Sequence, residues 1–281
     1  MAKFYSMLFG MVLVLSLMPA AGCSPTPDQK SEASAKTKLE QIKKRGVLIC
    51  GVKDSVNLFG FVDPKTNELV GFDVDICKYI AGKLGVKPEF KVVTSKNRIP
   101  MLAQGSVDML AATMTHKFSR DEQIDFSITY FMDGQKLLVE KGSGILSTDD
   151  LAGKKVGTVK GSTSEKNIKK AQPEAQIISY DEYPQAFMAL KQGKVKAVTT
   201  DSGILAGLKA GDDNPSKWEI VGDFFSSEPY GLGVPQNDSA FRDFVNKCLN
   251  EMWLDGTYQE RFKKWMSYDL PAGWRIELWP M

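Results

Sequence analysis

One histidine, His116, and four cysteines are all the imidazole and thiol side chains that 281 residues contain. A single imidazole leaves no partner for a histidine dyad or a histidine metal site. None of the cysteines stands in a Cys-x-x-Cys or similar ligand spacing. Neither a metal nor a cofactor is therefore expected. Charge of one sign is also lacking: 36 Lys and Arg against 34 Asp and Glu leave a net charge of +2, too little for the basic field that nucleic-acid binding requires. Beyond the first two dozen residues no apolar run approaches the ~20 residues of a spanning helix. The length suits one large domain or two smaller ones.

The N-terminal stretch MAKFYSMLFGMVLVLSLMPAAGC has a lysine, an apolar run and then small residues. That is the pattern of a secretory signal over residues 1–23. Its end, AAGC, resembles the lipobox of bacterial lipoproteins, which would make Cys23 the lipidated residue. Ala20 stands where that motif carries leucine, so cleavage by ordinary signal peptidase after Gly22 is the alternative. Residues 24–37 are polar, contain two prolines and show no apolar period, which reads as a flexible tether. The expected location is periplasmic or otherwise extracytoplasmic, with the chain anchored through Cys23. Cys50, Cys77 and Cys248 lie in apolar segments and read as buried thiols; a Cys50–Cys77 disulfide is the alternative in an oxidising compartment.

From residue 38 onward the pattern is α/β. KLEQIKKRG is a short helix ending at Gly46, and VLICGV is a strand. Phe72, Ile76, Ile80 and Leu84 recur at helical spacing with Gly85 as the stop. PEFKVV is a strand, RIPMLAQGS a helix, and VDMLAATMT a strand. The order then repeats: strand DLAGKKVGTVKG, helix STSEKNIKKA with Ser162 and Glu165 as a capping pair, strand AQIISY, helix YPQAFMALKQGK, strand VKAVTTD. MLAQGSVDML aligns by eye with ALKQGKVKAV. Two extended segments, around residues 126–142 and 218–238, separate the halves, and two helices close the chain. This predicts two α/β lobes with mostly parallel sheets. The first holds 38–136 and 225–281, the second 137–224. Two crossings between them form a hinge with a closing cleft.

Loops after strands would face that cleft. They bring Lys53, Arg98, Thr113 and Thr115 from the first lobe, and Thr163, Ser164, Tyr183 and Asp201 from the second. Arg98, just before Pro100 in the first turn of a helix, can hold a carboxylate by a two-pronged pair. Thr113 and Thr115 add donors, and the N–H groups of Thr163 and Ser164 favour an anion. Asp201 can meet an ammonium, although it could equally cap the helix that follows. Together these suit a free α-amino acid. Lys53 then has no obvious protein partner, which points to a second ligand carboxylate, as in glutamate or aspartate. Ser95 and Asn97 are possible caps for the Arg98 helix, and Tyr183 could simply brace a turn.

The motifs GVKDS, GFDVDICKYIAGKLG, TSKNRIPML, GSVDMLAATMT, DFSITYF, GTVKGSTSEKNI and KWEIVG make residues 40–268 resemble the polar amino-acid solute-binding proteins of bacterial ABC transporters (family 3). Within that family the glutamate/aspartate-binding members are the most similar. The resemblance implies the type II periplasmic-binding-protein fold and a non-enzymatic, monomeric receptor that delivers its ligand to a membrane ABC permease. It also implies Arg98 on the α-carboxylate, Asp201 on the α-ammonium, and Lys53 and Tyr183 near the distal group. Glutamine or another polar amino acid is the alternative ligand. TMTHKFSR is longer than the family's usual segment, so Arg120 is not assigned a ligand role. Two other functions are weighed: a dehydratase of small carboxylated rings on the same fold, with Asp54 or Glu165 as acid, and a sensor module.

Overall fold

A computed structural model describes residues 37–276. The expectations for the signal, for Cys23 and for residues 24–36 lie outside the described residues. The chain between forms two five-stranded sheets and a small three-stranded one. In the first large sheet the spatial order is Lys87–Val92, Val47–Val52, Met109–Ala111, Glu228–Val234, Asp125–Asp133. In the second it is Gln176–Tyr180, Lys155–Val159, Ala197–Asp201, Gln135–Glu140, Trp218–Val221. Each sheet thus has the same plan: its second, first and third local strands run parallel, then the two crossing segments join antiparallel. The crossings are why the sheets are mixed rather than mostly parallel. They bring strands in from the other lobe, and those strands arrive in the reverse direction.

The helix expected from the Phe72–Leu84 period is present and ends at Gly85 in the left-handed conformation. It buries Phe72, Val74, Ile76, Cys77, Ile80 and Ala81 completely. Each of the larger apolar side chains contributes about 1.5–3 kcal/mol by leaving water. The C-terminal helices Ser239–Leu254 and Thr257–Met266 return to this lobe: Phe72 meets Tyr258 and Phe262 edge-on, and Trp274 stacks on Tyr258. Cys50, Cys77 and Cys248 are buried free thiols.

The chain leaves the first sheet at Asp133 and enters the second at Gln135, and it returns between Val221 and Glu228. The two crossings lie side by side. Gln135 N–H donates to Ser226 Oγ at 3.2 Å, and Phe225 N–H donates to Gln135 O at 3.2 Å. A Cβ at Gly134 would come within 2.5 Å of the Phe224 ring, so only glycine fits there.

Three expected caps differ. Ser162 precedes the helix Thr163–Ala171, but its hydroxyl donates back to Val159 O, while Glu165 accepts from Gly161 N–H and Ser179 Oγ. Asn97 takes the N-cap position of Arg98–Ala103 without bonding to it; its Oδ1 accepts from Thr94 N–H instead. Asp201 does not cap the helix Ser202–Ala210. Asp133, from the crossing, does, accepting from Ser202 and Gly203 N–H at 3.1 and 2.9 Å.

Candidate ligand-binding site

Arg98 is the first residue of the helix Arg98–Ala103 and is 3% exposed. Its Nη1 donates to the carbonyls of Ala112 and Thr113, and its buried Nε has no partner among the described residues. Burial lowers its pKa; the guanidinium nonetheless stays charged at any ordinary pH. A buried cation with an unused donor is incomplete by itself. Thr113 is not a strand residue: its φ is +45°, unusual for a β-branched side chain. Asp73 explains the strain. Its carboxylate accepts from Thr113 N–H at 2.9 Å and Tyr130 Oη at 2.7 Å, which turns the Thr113 carbonyl toward Arg98. Burial pushes Asp73 up to about 6.

Lys53 follows the strand Val47–Val52 and is 1% exposed. The structure corrects the expectation that it lacks a protein partner. Its ammonium donates to Ser95 Oγ at 3.0 Å and lies 3.7 Å from the Glu182 carboxylate of the other lobe. Ser55 Oγ also donates to Glu182, at 3.2 Å. Burial, aided by the Arg98 charge, brings Lys53 down to about 7, and Glu182 opposes that.

Asp201, at the end of its strand, is 4% exposed and accepts from Tyr230 Oη and from Gln135 Nε2 at 3.1 Å. Burial pushes it up to about 8, with the Asp133 and Glu228 charges adding to the effect. Glu228 is fully buried and accepts from Thr115 Oγ1, Thr163 Oγ1 and Asn167 Nδ2, so it ties both lobes at the hinge side. Gln135 Nε2 also reaches the hydroxyls of Thr163 and Ser164, at 2.9 and 3.3 Å. The Thr163 and Ser164 side chains therefore belong to this inter-lobe network, and the first-turn N–H groups of their helix receive no side-chain cap. Tyr183 is 3% exposed at the start of the helix Tyr183–Lys191. Burial holds its hydroxyl up at about 12, and the Asp201 charge adds to that.

Lys53, Arg98, Thr113, Thr115, Thr163, Ser164, Tyr183 and Asp201 are thus all buried at the junction of the lobes. Arg120 joins them, which the sequence reading did not foresee. The extra length after Thr115 folds as the helix Phe118–Asp121 and returns Arg120 to the junction. There its guanidinium donates to Thr115 O at 2.6 Å and Gly161 O of the other lobe at 3.5 Å. Glu182, Glu228, Gln135, Tyr230 and Asp73 also went unread, because each meets its partners only through distant chain. His116 pairs with Asp121 and stacks on Phe126. Among the described residues no group of three His, Cys, Asp or Glu is placed to hold a metal ion.

Two lobes with one strand order, joined by two crossings around buried paired charges, define a two-lobed binding protein of the type II periplasmic class. The chain belongs to the bacterial extracellular solute-binding proteins, family 3, whose pattern it matches over residues 48–268. It is 41% identical to the ABC transporter glutamine-binding protein of Bacillus subtilis (strain 168) over 96% of this chain and 99% of that one. Identity is 32% to the glutamate/aspartate import solute-binding protein of Salmonella typhimurium, over 92% of this chain and 88% of that one. Among solved structures, an ancestral arginine-binding protein bound to glutamine superposes with a TM-score of 0.76 at 42% identity. That match covers 80% of this chain and 99% of the other.

Proposed function

We propose that this chain is an extracytoplasmic receptor of an ABC importer that closes on a free amino acid, and that its preferred ligand is glutamine. The observation that carries the preference is the Lys53–Glu182 pair at 3.7 Å. With Glu182 beside it, Lys53 needs no second ligand carboxylate, and such a carboxylate would face Glu182. An amide suits the pair: its carbonyl accepts from Lys53 and its NH2 donates to Glu182. The higher identity to a glutamine-binding relative than to a glutamate/aspartate-binding one supports the same choice. Arg98, with its unused Nε, and Arg120 are the groups for the α-carboxylate, helped by the N–H groups of Thr163 and Ser164. Asp201 takes the α-ammonium, Tyr183 lines the site, and Thr113 and Thr115 shape it.

The rest of the reading is proposed from the sequence and from the family's general role. The chain acts as a monomer, meets an ABC permease at the membrane and is held there through lipidated Cys23. The lobes, expected to divide between residues 136 and 137 and between 224 and 225, divide instead at Gly134 on the outward crossing, because Gln135 already pairs in the second sheet, and between 224 and 225 on the return. Mass spectrometry of the N-terminal peptide tests the anchor. Titration calorimetry of protein stripped of ligand by unfolding and refolding tests the receptor. Micromolar or tighter glutamine binding, with glutamate, aspartate and arginine weaker, is expected. Tighter glutamate than glutamine would overturn the ligand choice.

One observation favours a second reading. Asp201 is a buried carboxyl pushed up to about 8, the property a general acid needs. A dehydratase would use it on a small carboxylated ring, in place of the half-buried candidates Asp54 and Glu165. Formation of product from prephenate or arogenate would establish that reading. Against it, Asp201 is already held as an acceptor by Tyr230 and Gln135.

A further inference from the structure

We propose that Gly207 is a positioning residue for lobe closure, its missing side chain being the space in which Asn57 of the opposite lobe seats. Asn57 lies in the turn between the strands Ser55–Val56 and Gly60–Val62 of the first lobe. The helix Ser202–Ala210 of the second lobe faces that turn. Asn57 Nδ2 donates to Gly207 O at 3.0 Å. A Cβ built on Gly207 would stand 2.8 Å from Asn57 O and 3.1 Å from Asn57 Cβ. Gly211, one turn on, meets the same residue: its Cβ would stand 2.5 Å from Asn57 Nδ2. Gly203, one turn back, faces the Phe59 ring at 3.2 Å. Three glycines at four-residue spacing share a helix face, and all three meet the first lobe there.

Helical glycine normally costs stability relative to alanine. At Gly207 the backbone is helical, so alanine would fit without strain. The nearest atoms to its methyl all belong to Asn57, across the cleft. The methyl therefore has room when the lobes are apart and collides when they meet. Gly161 forms the matching contact at the other side of the cleft, where a Cβ would stand 2.8 Å from Lys96 Cα, but its φ of +74° would strain any substitute. Gly207 isolates closure from backbone strain.

The inference rests on the reading that closure traps the ligand. Its test compares Gly207→Ala with Gly82→Ala, a helical glycine whose Cβ would have nothing within 4 Å among the described residues. In the ligand-free protein both variants should melt about 2–4 °C higher, the gain of alanine over glycine in a helix. Calorimetry with L-glutamine should leave Gly82→Ala at wild-type affinity and weaken Gly207→Ala by about ten- to a hundredfold, the scale of an extra methyl forced into a packed contact. X-ray scattering at saturating glutamine should show Gly207→Ala more extended than wild type. Wild-type affinity and contraction in Gly207→Ala would overturn the proposal, as would a lower melting temperature of its ligand-free form. Absence of amino-acid binding by wild type defeats the ligand reading instead. Closure is then read without ligand, by the rate at which a short bis-maleimide bridges Ser55→Cys and Glu182→Cys, with and without Gly207→Ala. A slower rate supports the role of Gly207, and an unchanged rate ends it.

Discussion

Glu182→Gln should turn a glutamine receptor toward glutamate. In the wild-type protein a ligand carboxylate beside Lys53 would also lie beside Glu182. Two like charges ~4 Å apart repel by about 4 kcal/mol at an effective dielectric of ~20. The Glu182 side chain is 21% exposed, so we keep about half of that after screening, ~2 kcal/mol. Removing the charge returns that energy to glutamate. Glutamine, meanwhile, exchanges a charge-assisted hydrogen bond for a neutral one and loses about 1 kcal/mol. The sum, about 3 kcal/mol, moves the glutamine-to-glutamate affinity ratio by roughly 150-fold. Since Glu182 supports the charge on Lys53 and its loss lowers that ammonium's pKa further, the titrations belong below neutral pH and are repeated at two pH values, so that loss of the Lys53 charge shows as a pH dependence. Calorimetry with both ligands on both proteins gives the ratio directly. A shift below about threefold would show that Glu182 does not face the distal group, and the amide reading would go with it.

Arg98→Lys keeps a charge but loses the fork, the unused Nε and the Nη1 bonds to Ala112 O and Thr113 O; ligand affinity should fall about 10- to 100-fold, and the ligand-free melting temperature by about a few degrees. Calorimetry and thermal unfolding measured together check it. Asp201 binds a proton below about 8, whereas an α-ammonium requires its carboxylate, so capture releases one proton. Affinity should therefore rise with pH by up to about tenfold per unit and level off above about pH 8. A flat profile, or proton uptake measured in buffers of different ionisation heat, would remove Asp201 from the ammonium. Thr113→Gly relieves the strained φ of +45° and should leave the fold intact; Asp73→Ala frees the Thr113 amide and should weaken binding about tenfold through Arg98, read as a change in affinity larger than that of Thr113→Gly.

Most of the architecture was legible because its signals are local. The Phe72–Leu84 period and the glycine stops at Gly46, Gly85 and Gly193 each sit within about a dozen residues, and the recurrence of strand and helix order is a succession of such local signals. A helix or strand registers its buried face directly in its spacing. The mixed character of the sheets was not legible, since it depends on where the crossing segments 125–140 and 218–234 dock. In the site, the sequence by itself determined the titratable groups and the strand ends that carry them: Lys53, Arg98 and Asp201 were placed by their position after strands. Only the tertiary structure decided what each group is paired with. In the sequence Lys53 has no visible partner because Glu182 stands 129 positions away and reaches it only when the lobes meet. Asp201 was released from capping because Asp133, from the crossing, does that work. Segment length alone does not carry Arg120 to the site; the single helical turn Phe118–Asp121 does. Charge pairing acts over a few ångströms of space, not of chain, so the ligand preference that depends on it appears only when the two lobes are brought together.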